Sequence, residues 1–337
     1  MMRTLLRSFS LFLGFLVLAA LALIAWTAYF AQAPLVLRNA PLDFTVKPGS
    51  SLRQTARELA EAGVDMPAWQ FTLLSRILGR ASMIKAGSYE FDQGLTPWLL
   101  LEKLTQGDVS QAAIVFPEGW SFRQIRAALD ANPALTHDSA ALSERQILER
   151  LGVSATTAEG SFFPDTYLFA KASSDLAILK RAQRQMQQSL TREWAGRAEG
   201  LPYATPYEAL IMASIVEKET GKPADRRMIA AVFINRLKRG MLLQTDPTVI
   251  YGLGDKFDGN LRKRDLQTDS PYNTYMRPGL PPTPIAMPGL ASLQAALHPA
   301  QSDHLYFVAR GDGSSQFSRS LDEHNRAVNK YQKRNGR

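Results

Sequence analysis

Phe44-Thr45-Val46-Lys47-Pro48-Gly49-Ser50-Ser51-Leu52-Arg53-Gln54 can be laid on Ile114-Val115-Phe116-Pro117-Glu118-Gly119-Trp120-Ser121-Phe122-Arg123-Gln124, 70 residues downstream. Gly, Ser, Arg and Gln coincide. Each copy reads as a short alternating strand, a glycine turn, a serine N-cap and an amphipathic helix. Helices are expected over 52–62 and 122–129. Duplication and convergence fit the pattern equally, because any strand–turn–helix drifts towards these residues.

Outward from the first copy, the pattern predicts a helix over 67–78, a strand over 87–91 and a helix over 97–105. This β-α-α-β order resembles a LysM-like module, the peptidoglycan-binding fold, assigned to residues 38–110. The likeness is one of element order, with no specific motif behind it. The second copy opens a strand–helix unit and linker, residues 111–160, whose polar, Ala-rich part 130–160 reads as a linker or a variable insertion. A charged helix is expected over 175–198, where Lys180, Arg181, Arg184 and Arg192 read as a solvated face.

Upstream, no charge lies between Arg7 and Arg38, and residues 11–30 read LFLGFLVLAALALIAWTAYF. Twenty apolar residues match a hydrocarbon thickness of ~30 Å. Arg3 and Arg7 place residues 1–10 in the cytoplasm, and Trp26 and Tyr29 sit where interfacial aromatics belong. Ala31-Gln32-Ala33 resembles a signal-peptide cleavage site. An uncleaved anchor is favoured, because the apolar run exceeds the usual h-region and proline follows the would-be cut. The rest of the chain then faces outward from a bacterial inner membrane, into the periplasm.

The 337 residues are 45% hydrophobic and 21% charged, with net charge +8, which excludes a disordered or low-complexity chain. The absence of cysteine excludes a disulfide framework, thiol catalysis and Cys-ligated zinc. Four histidines and no HExxH motif give no expectation of a metal site. The basic excess suits an acidic polymer or simple solvation, and the outward topology excludes nucleic acid.

From residue 201 the texture changes to Pro-bounded helices and Gly/Pro-rich loops. Residues 267–289 hold six prolines and two tyrosines with little helical periodicity. A long irregular segment of this kind is more often functional than decorative. Residues 207–220 read YEALIMASIVEKET, a helix entered by Thr205-Pro206 and closed by Gly221. With Ile215 at 0°, Ile211, Met212 and Val216 fall at about −40°, 60° and 100°. Glu219 falls at about 40°, within the apolar stripe, and Glu217 at about 200°, on the exposed side. A carboxyl held against apolar surroundings has a raised pKa and can donate a proton at neutral pH. From this geometry alone, a structural carboxylate at a helix end is the commoner reading of Glu219.

ASIVEKET, AAVFINRL, GMLLQTDPTVIYGLG, PYNTY, GLPPTPIAMPG and LYFVARGDGSSQFSRSLDEHN, with EGSFFPDTY at 159–167, resemble the YceG-like family of endolytic murein transglycosylases. The likeness covers nearly the whole chain. It implies an α+β protein with a single N-terminal transmembrane helix (11–30), the LysM-like module and a mixed α/β catalytic domain (161–337). It also implies that Glu219, followed by Thr220, is the catalytic residue, the one the helical wheel selects.

The reaction implied by the resemblance cuts the β-1,4 bond between N-acetylmuramic acid and N-acetylglucosamine without water. The muramyl C6 hydroxyl attacks its own C1 and leaves a 1,6-anhydro end. An intramolecular nucleophile makes one carboxyl sufficient. A hydrolytic muramidase needs a second carboxylate, for which Asp246 and Asp165 are the candidates. A membrane-tethered glycan-binding scaffold, with Glu219 structural, is the reading from another class. Thr245 and Asp246 can bond sugar groups or serve as a turn or N-cap before Val249. Tyr272, Asn273 and Tyr275 suit stacking and hydrogen bonding of sugar rings, or loop self-packing. Gln316 and Asn325 complete the expected substrate-binding set, while His324 is expected as a structural hydrogen-bonder. No cofactor is expected. The expected partners are peptidoglycan strands, the inner membrane and, from family context, peptidoglycan synthases.

Overall fold

Ser51 and Ser121 do cap their helices, and the two caps differ. The Ser51 hydroxyl accepts the Gln54 N–H, while the Gln54 side chain turns away to Glu58. Ser121 and Gln124 form a reciprocal capping box. The computed structural model describes residues 2–47, 49–107, 111–219 and 222–333, with side chains from Phe12 to Gln332. The chain divides into two units, 1–112 with 168–173, and 113–167 with 174–337.

The first unit begins with α1 (Met2–Gln32), whose segment Phe12–Gln32 is long and apolar enough to cross a membrane, with mean hydropathy 2.2. There follow β1 (Leu42–Val46), α2 (Leu52–Ala62), α3 (Ala68–Ile77), β2 (Gly87–Phe91) and α4 (Pro97–Gln106). These match the expected elements closely. The strands β1 and β2 are antiparallel, with Leu42 opposite Phe91 and Val46 opposite Gly87. β1 alternates buried and exposed residues, so Leu42, Phe44 and Val46 face the core with Leu59, Phe71, Tyr89, Phe91 and Leu100. Lys171, on the returning segment, ties to Asp43 at 2.7 Å and Glu90 at 2.6 Å.

The chain changes unit within β3 (Gln111–Val115) and continues through α5 (Phe122–Asp130), β4 (Leu135–Thr136), α6 (Glu144–Leu151), β5 (Thr166–Ala170) and β6 (Ser173–Ser174). Residues 130–160 are therefore not a linker. α6 opens with a second capping box, Ser143 with Gln146, and buries Ile147, Leu148 and Leu151. Asp175, itself fully buried, accepts from the Ser139 backbone N–H and from its hydroxyl at 2.6 Å. These bonds tie the segment to α7 (Asp175–Ala195), whose charged residues Lys180, Arg181, Arg184 and Arg192 are exposed as expected.

The remaining elements are α8 (Pro206–Glu219), α9 (Pro223–Lys238), α10 (Asp246–Leu253), α11 (Lys263–Leu266), α12 (Leu290–Leu297), the antiparallel hairpin of β7 (Tyr306–Ala309) and β8 (Ser315–Ser318), and α13 (Leu321–Val328). The architecture is mixed α+β. α8 runs through the centre of this unit, packed by α7, α9, α10 and α12. Every residue from Ala209 to Val216 is buried. Gly160 holds a left-handed φ of +77°, and a Cβ there would meet the Pro284 ring at 2.6 Å. Gly160→Ala is therefore expected to destabilise the protein by about 2 kcal/mol or more, combining left-handed strain with a clash against a rigid ring. A denaturant melt with an unchanged midpoint would contradict this close approach.

Candidate active site

The entry to α8 is built as its sequence predicts. Pro206 occupies the first turn, and the Thr205 hydroxyl accepts the Glu208 N–H at 3.3 Å. The expected closure at Gly221, and Thr220, lie outside the described residues. α8 is packed by several helices, and near its end the exposed side chain is Lys218, not Glu217. The Glu217 side chain is only 7% exposed, accepts the Gly289 N–H at 2.9 Å and lies 3.9 Å from Arg226. The expectation of an exposed Glu217 is thus corrected, since the wheel assumes one wet side. Glu217→Ala would leave a buried guanidinium and a backbone N–H without this partner. We expect a loss of about 3 kcal/mol in unfolding free energy, and an unchanged melting curve would refute it.

Glu219, two residues further, accepts a hydrogen bond from the Thr245 hydroxyl. Thr245 is 1% exposed and fixed in turn, its N–H donating to the Thr274 hydroxyl at 3.1 Å. Thr248 and Thr274 share a further hydroxyl bond at 2.9 Å. Gln244, just before Thr245, has φ +52°, a strained value for a residue with a Cβ. Burial raises the Glu219 pKa from 4.5 to about 7; the bond from Thr245 opposes this, the charge of Asp246 adds to it and Arg236 opposes it. Asp246, at the N-terminus of α10, accepts the Tyr275 hydroxyl at 2.5 Å. Burial, followed by the bond to Asp246, pushes the Tyr275 phenol upward, so it remains a donor at neutral pH.

Arg236 carries no expectation from the sequence, yet it belongs to this site. Its guanidinium donates to the carbonyls of Leu305 at 2.7 Å and Leu243 at 2.9 Å, with Tyr306 stacked over it at 5.1 Å. α9 also carries Arg226, Arg227 and Lys238, and only burial, which sequence does not display, sets Arg226 and Arg236 apart from the others. His324 stacks on Tyr306 at 5.3 Å, but its Nδ1 is buried with no hydrogen-bond partner. It packs rather than bonds through that atom, and burial lowers its pKa.

The other expected binding residues divide. Tyr272 lies edge-on to Tyr251 at 5.0 Å and shares a hydrogen bond with Thr283 at 2.9 Å. Asn273, 1% exposed, donates to the carbonyls of Asp265, Leu266 and Thr268 and accepts the Tyr275 N–H. Its amide holds the irregular loop, which fits loop self-packing, the alternative to a sugar-binding role for Asn273. Gln316 pairs with Arg310 at 2.7 Å, and Asn325 is exposed on α13; no hydrogen bond joins either to Glu219, Thr245 or Asp246. Asp165 accepts from Gln185 at 2.9 Å, and among the described residues no hydrogen bond joins it to Glu219, Thr245 or Asp246.

A cavity of about 770 Å³ has walls that include Lys218 and Pro247, the chain neighbours of Glu219 and Asp246. On its wall sits a second proton-holding carboxyl. Glu159 is 5% exposed and accepts the Phe122 N–H at 3.1 Å and the Tyr251 hydroxyl at 3.2 Å. Burial lifts its pKa to about 7 against these two bonds. Nothing local in EGSFFPDTY marks Glu159 for a role, because its partners lie 37 and 92 residues away.

The geometry therefore offers two carboxyls with raised pKa, Glu159 and Glu219, of which Glu219 is the one bonded by the Thr245 hydroxyl and placed between the charges of Asp246 and Arg236. The comparisons agree with the motif reading. A protein of Bacillus subtilis (strain 168) named endolytic murein transglycosylase is 34% identical over 314 residues, covering 86% of this chain and 84% of that one. A protein of the same name from Streptococcus pneumoniae (strain D39) is 28% identical over 354 residues, 92% of this chain, and this chain spans 63% of its length. A crystal structure of a yceG-like protein from Listeria monocytogenes superposes with a TM-score of 0.54 at 31% identity, over 85% of this chain and 99% of that one. The profile of the YceG-like family matches residues 44–330, and the chain belongs to that family.

Proposed function

We propose that this protein is an endolytic lytic transglycosylase of peptidoglycan. The observation that carries the reading is Glu219, a carboxyl whose pKa burial raises to about 7 and which the Thr245 hydroxyl holds. Glu219 donates its proton to the glycosidic oxygen as the bond to N-acetylglucosamine breaks. The resulting carboxylate then takes the proton of the muramyl C6 hydroxyl as that oxygen closes on C1. Thr245 orients the carboxyl through both steps. The Tyr275–Asp246 pair and Arg236 set the field around it. The cleaved strand ends in a 1,6-anhydro sugar and can no longer be extended there.

The names of the relatives from B. subtilis and S. pneumoniae support this activity. On the same reading, α1 is an uncleaved single-pass anchor with a cytoplasmic N-terminus, and the exterior faces the periplasm. Residues 38–110 serve as a LysM-like glycan-retaining module and residues 161–337 as the catalytic domain, with 111–160 between them. Work near the membrane suits nascent strands and the neighbourhood of peptidoglycan synthases.

A hydrolytic muramidase is the second reading, and one observation favours it. Asp246 is close enough to raise the Glu219 pKa, and a neighbouring carboxylate can activate water. Incubation of the full chain with purified glycan strands separates the possibilities. Anhydro ends support the transglycosylase, reducing ends the muramidase, and binding without cleavage a scaffold.

A further inference from the structure

Arg53 and Arg57 stand one helical turn apart on α2, and Arg76 faces them from α3. With Trp69 and Thr72 they line a groove of about 350 Å³. All three guanidiniums are exposed, and among the described residues none has a hydrogen bond or ion pair. Three like charges sharing one groove repel each other unless an anion sits between them.

A second groove runs along the adjoining face of α3. It measures about 730 Å³ and is apolar, with Leu23, Ile24 and Ala28 of α1 on one side and Ile77, Leu78 and Trp98 on the other. Trp69, on the wall of the arginine groove, stacks on Trp26 of α1 at 6.0 Å, so α1 borders both. Trp69, Ile77 and Trp98 are 61%, 46% and 38% exposed, a costly display of large apolar surface in water. Arg80 covers the Trp98 ring at 5.1 Å.

Position along α1 decides what these grooves meet. Ile24 lies eight residues before Gln32, the end of the apolar segment. At 1.5 Å per residue that is about 12 Å inside the segment's outer boundary, and Trp26 is about 9 Å inside. Interfacial apolar faces sink about 5–10 Å into the headgroup and acyl boundary. Residues packed beside Ile24 and Trp26 therefore lie at the depth of lipid, with the arginines in reach of phosphates.

We propose that the two grooves together bind one anionic phospholipid of the membrane, its phosphate on Arg53, Arg57 and Arg76 and an acyl chain along Leu23, Ile24, Ile77 and Trp98. The assignment rests on α1 being an uncleaved span. An acidic glycan would satisfy the arginines but has no use for an apolar groove walled by that span. Bound lipid would fix the first unit against the bilayer.

The test uses the full chain in detergent micelles, titrated with phosphatidylglycerol or phosphatidylcholine of equal chain length and followed by native mass spectrometry. Wild type should prefer phosphatidylglycerol. At about fivefold per cation, R53Q/R57Q/R76Q should bind it about a hundredfold more weakly, with phosphatidylcholine binding and melting temperature unchanged. Equal affinity of wild type for the two lipids, or undiminished phosphatidylglycerol binding by the triple variant, overturns the site. So does displacement of the lipid by soluble peptidoglycan fragments. The intact mass of the chain isolated from cells separates this from the anchor reading. A chain beginning at Pro34 removes the anchor and the groove together, whereas an intact chain without lipid preference removes the lipid site alone.

Discussion

Glu219→Gln is expected to lower strand cleavage by about 10³-fold or more while leaving the fold and glycan binding in place. Gln has the same shape, and its carbonyl oxygen can still accept the Thr245 hydroxyl. It has no acidic proton to give to the leaving oxygen and no charge to take one back. The contrast is Glu217→Gln. Glu217 is buried and bonded to the Gly289 N–H, so its replacement should act on stability, with cleavage by the folded fraction within a few-fold of wild type. Cleavage rates per folded molecule decide the matter. Equal losses in both variants would remove the basis for choosing Glu219.

Cleavage should fall about tenfold per pH unit above about 7, and so about a hundredfold by pH 9, because the first step needs protonated Glu219. The sign for stability follows from the same displacement. The folded pKa lies above the ordinary carboxyl value, so the proton-linked stability is complete below about 4.5 and is lost as pH rises through about 7. That rise corresponds to an upper bound on the order of 3 kcal/mol. Glu219→Gln should therefore gain on wild type in denaturant melts between pH 4 and pH 8. Glu159→Gln should gain in the same window, since Glu159 is displaced alike, yet leave the alkaline limb of cleavage where it was. Thr245→Val removes a bond that favours the carboxylate, and should move that limb to higher pH. A limb that follows Glu159→Gln instead would mean that the wrong carboxyl has been assigned.

Local signals explain what the sequence made legible. Ser51, Ser121 and Thr205 cap helices, and the alternation of residues 42–46 marks a strand, because each depends on neighbours a few residues away. The helix of residues 144–151 was hidden by its polarity, although Ser143 and Gln146 box its start. A helical wheel misplaces Glu217 because it presumes water opposite the apolar stripe, whereas there Glu217 meets the Gly289 N–H and Arg226. Within the site, Glu219 was reached by both wheel and resemblance, but its bond to Thr245 closes a gap of 26 residues that no spacing rule predicts. At Asn273, an amide beside two tyrosines suits either sugar binding or loop self-packing. Its partners are backbone carbonyls, which sequence does not display.

The central claim, that the muramyl C6 hydroxyl rather than water attacks the bond protonated by Glu219, is tested most directly by cleavage in isotopically labelled water. Strands cut by the full chain in water carrying the heavy oxygen isotope should yield new ends one water lighter than reducing ends, without heavy oxygen. New reducing ends that carry one heavy oxygen each would contradict the account and assign the second carboxylate, Asp246, to the activation of water.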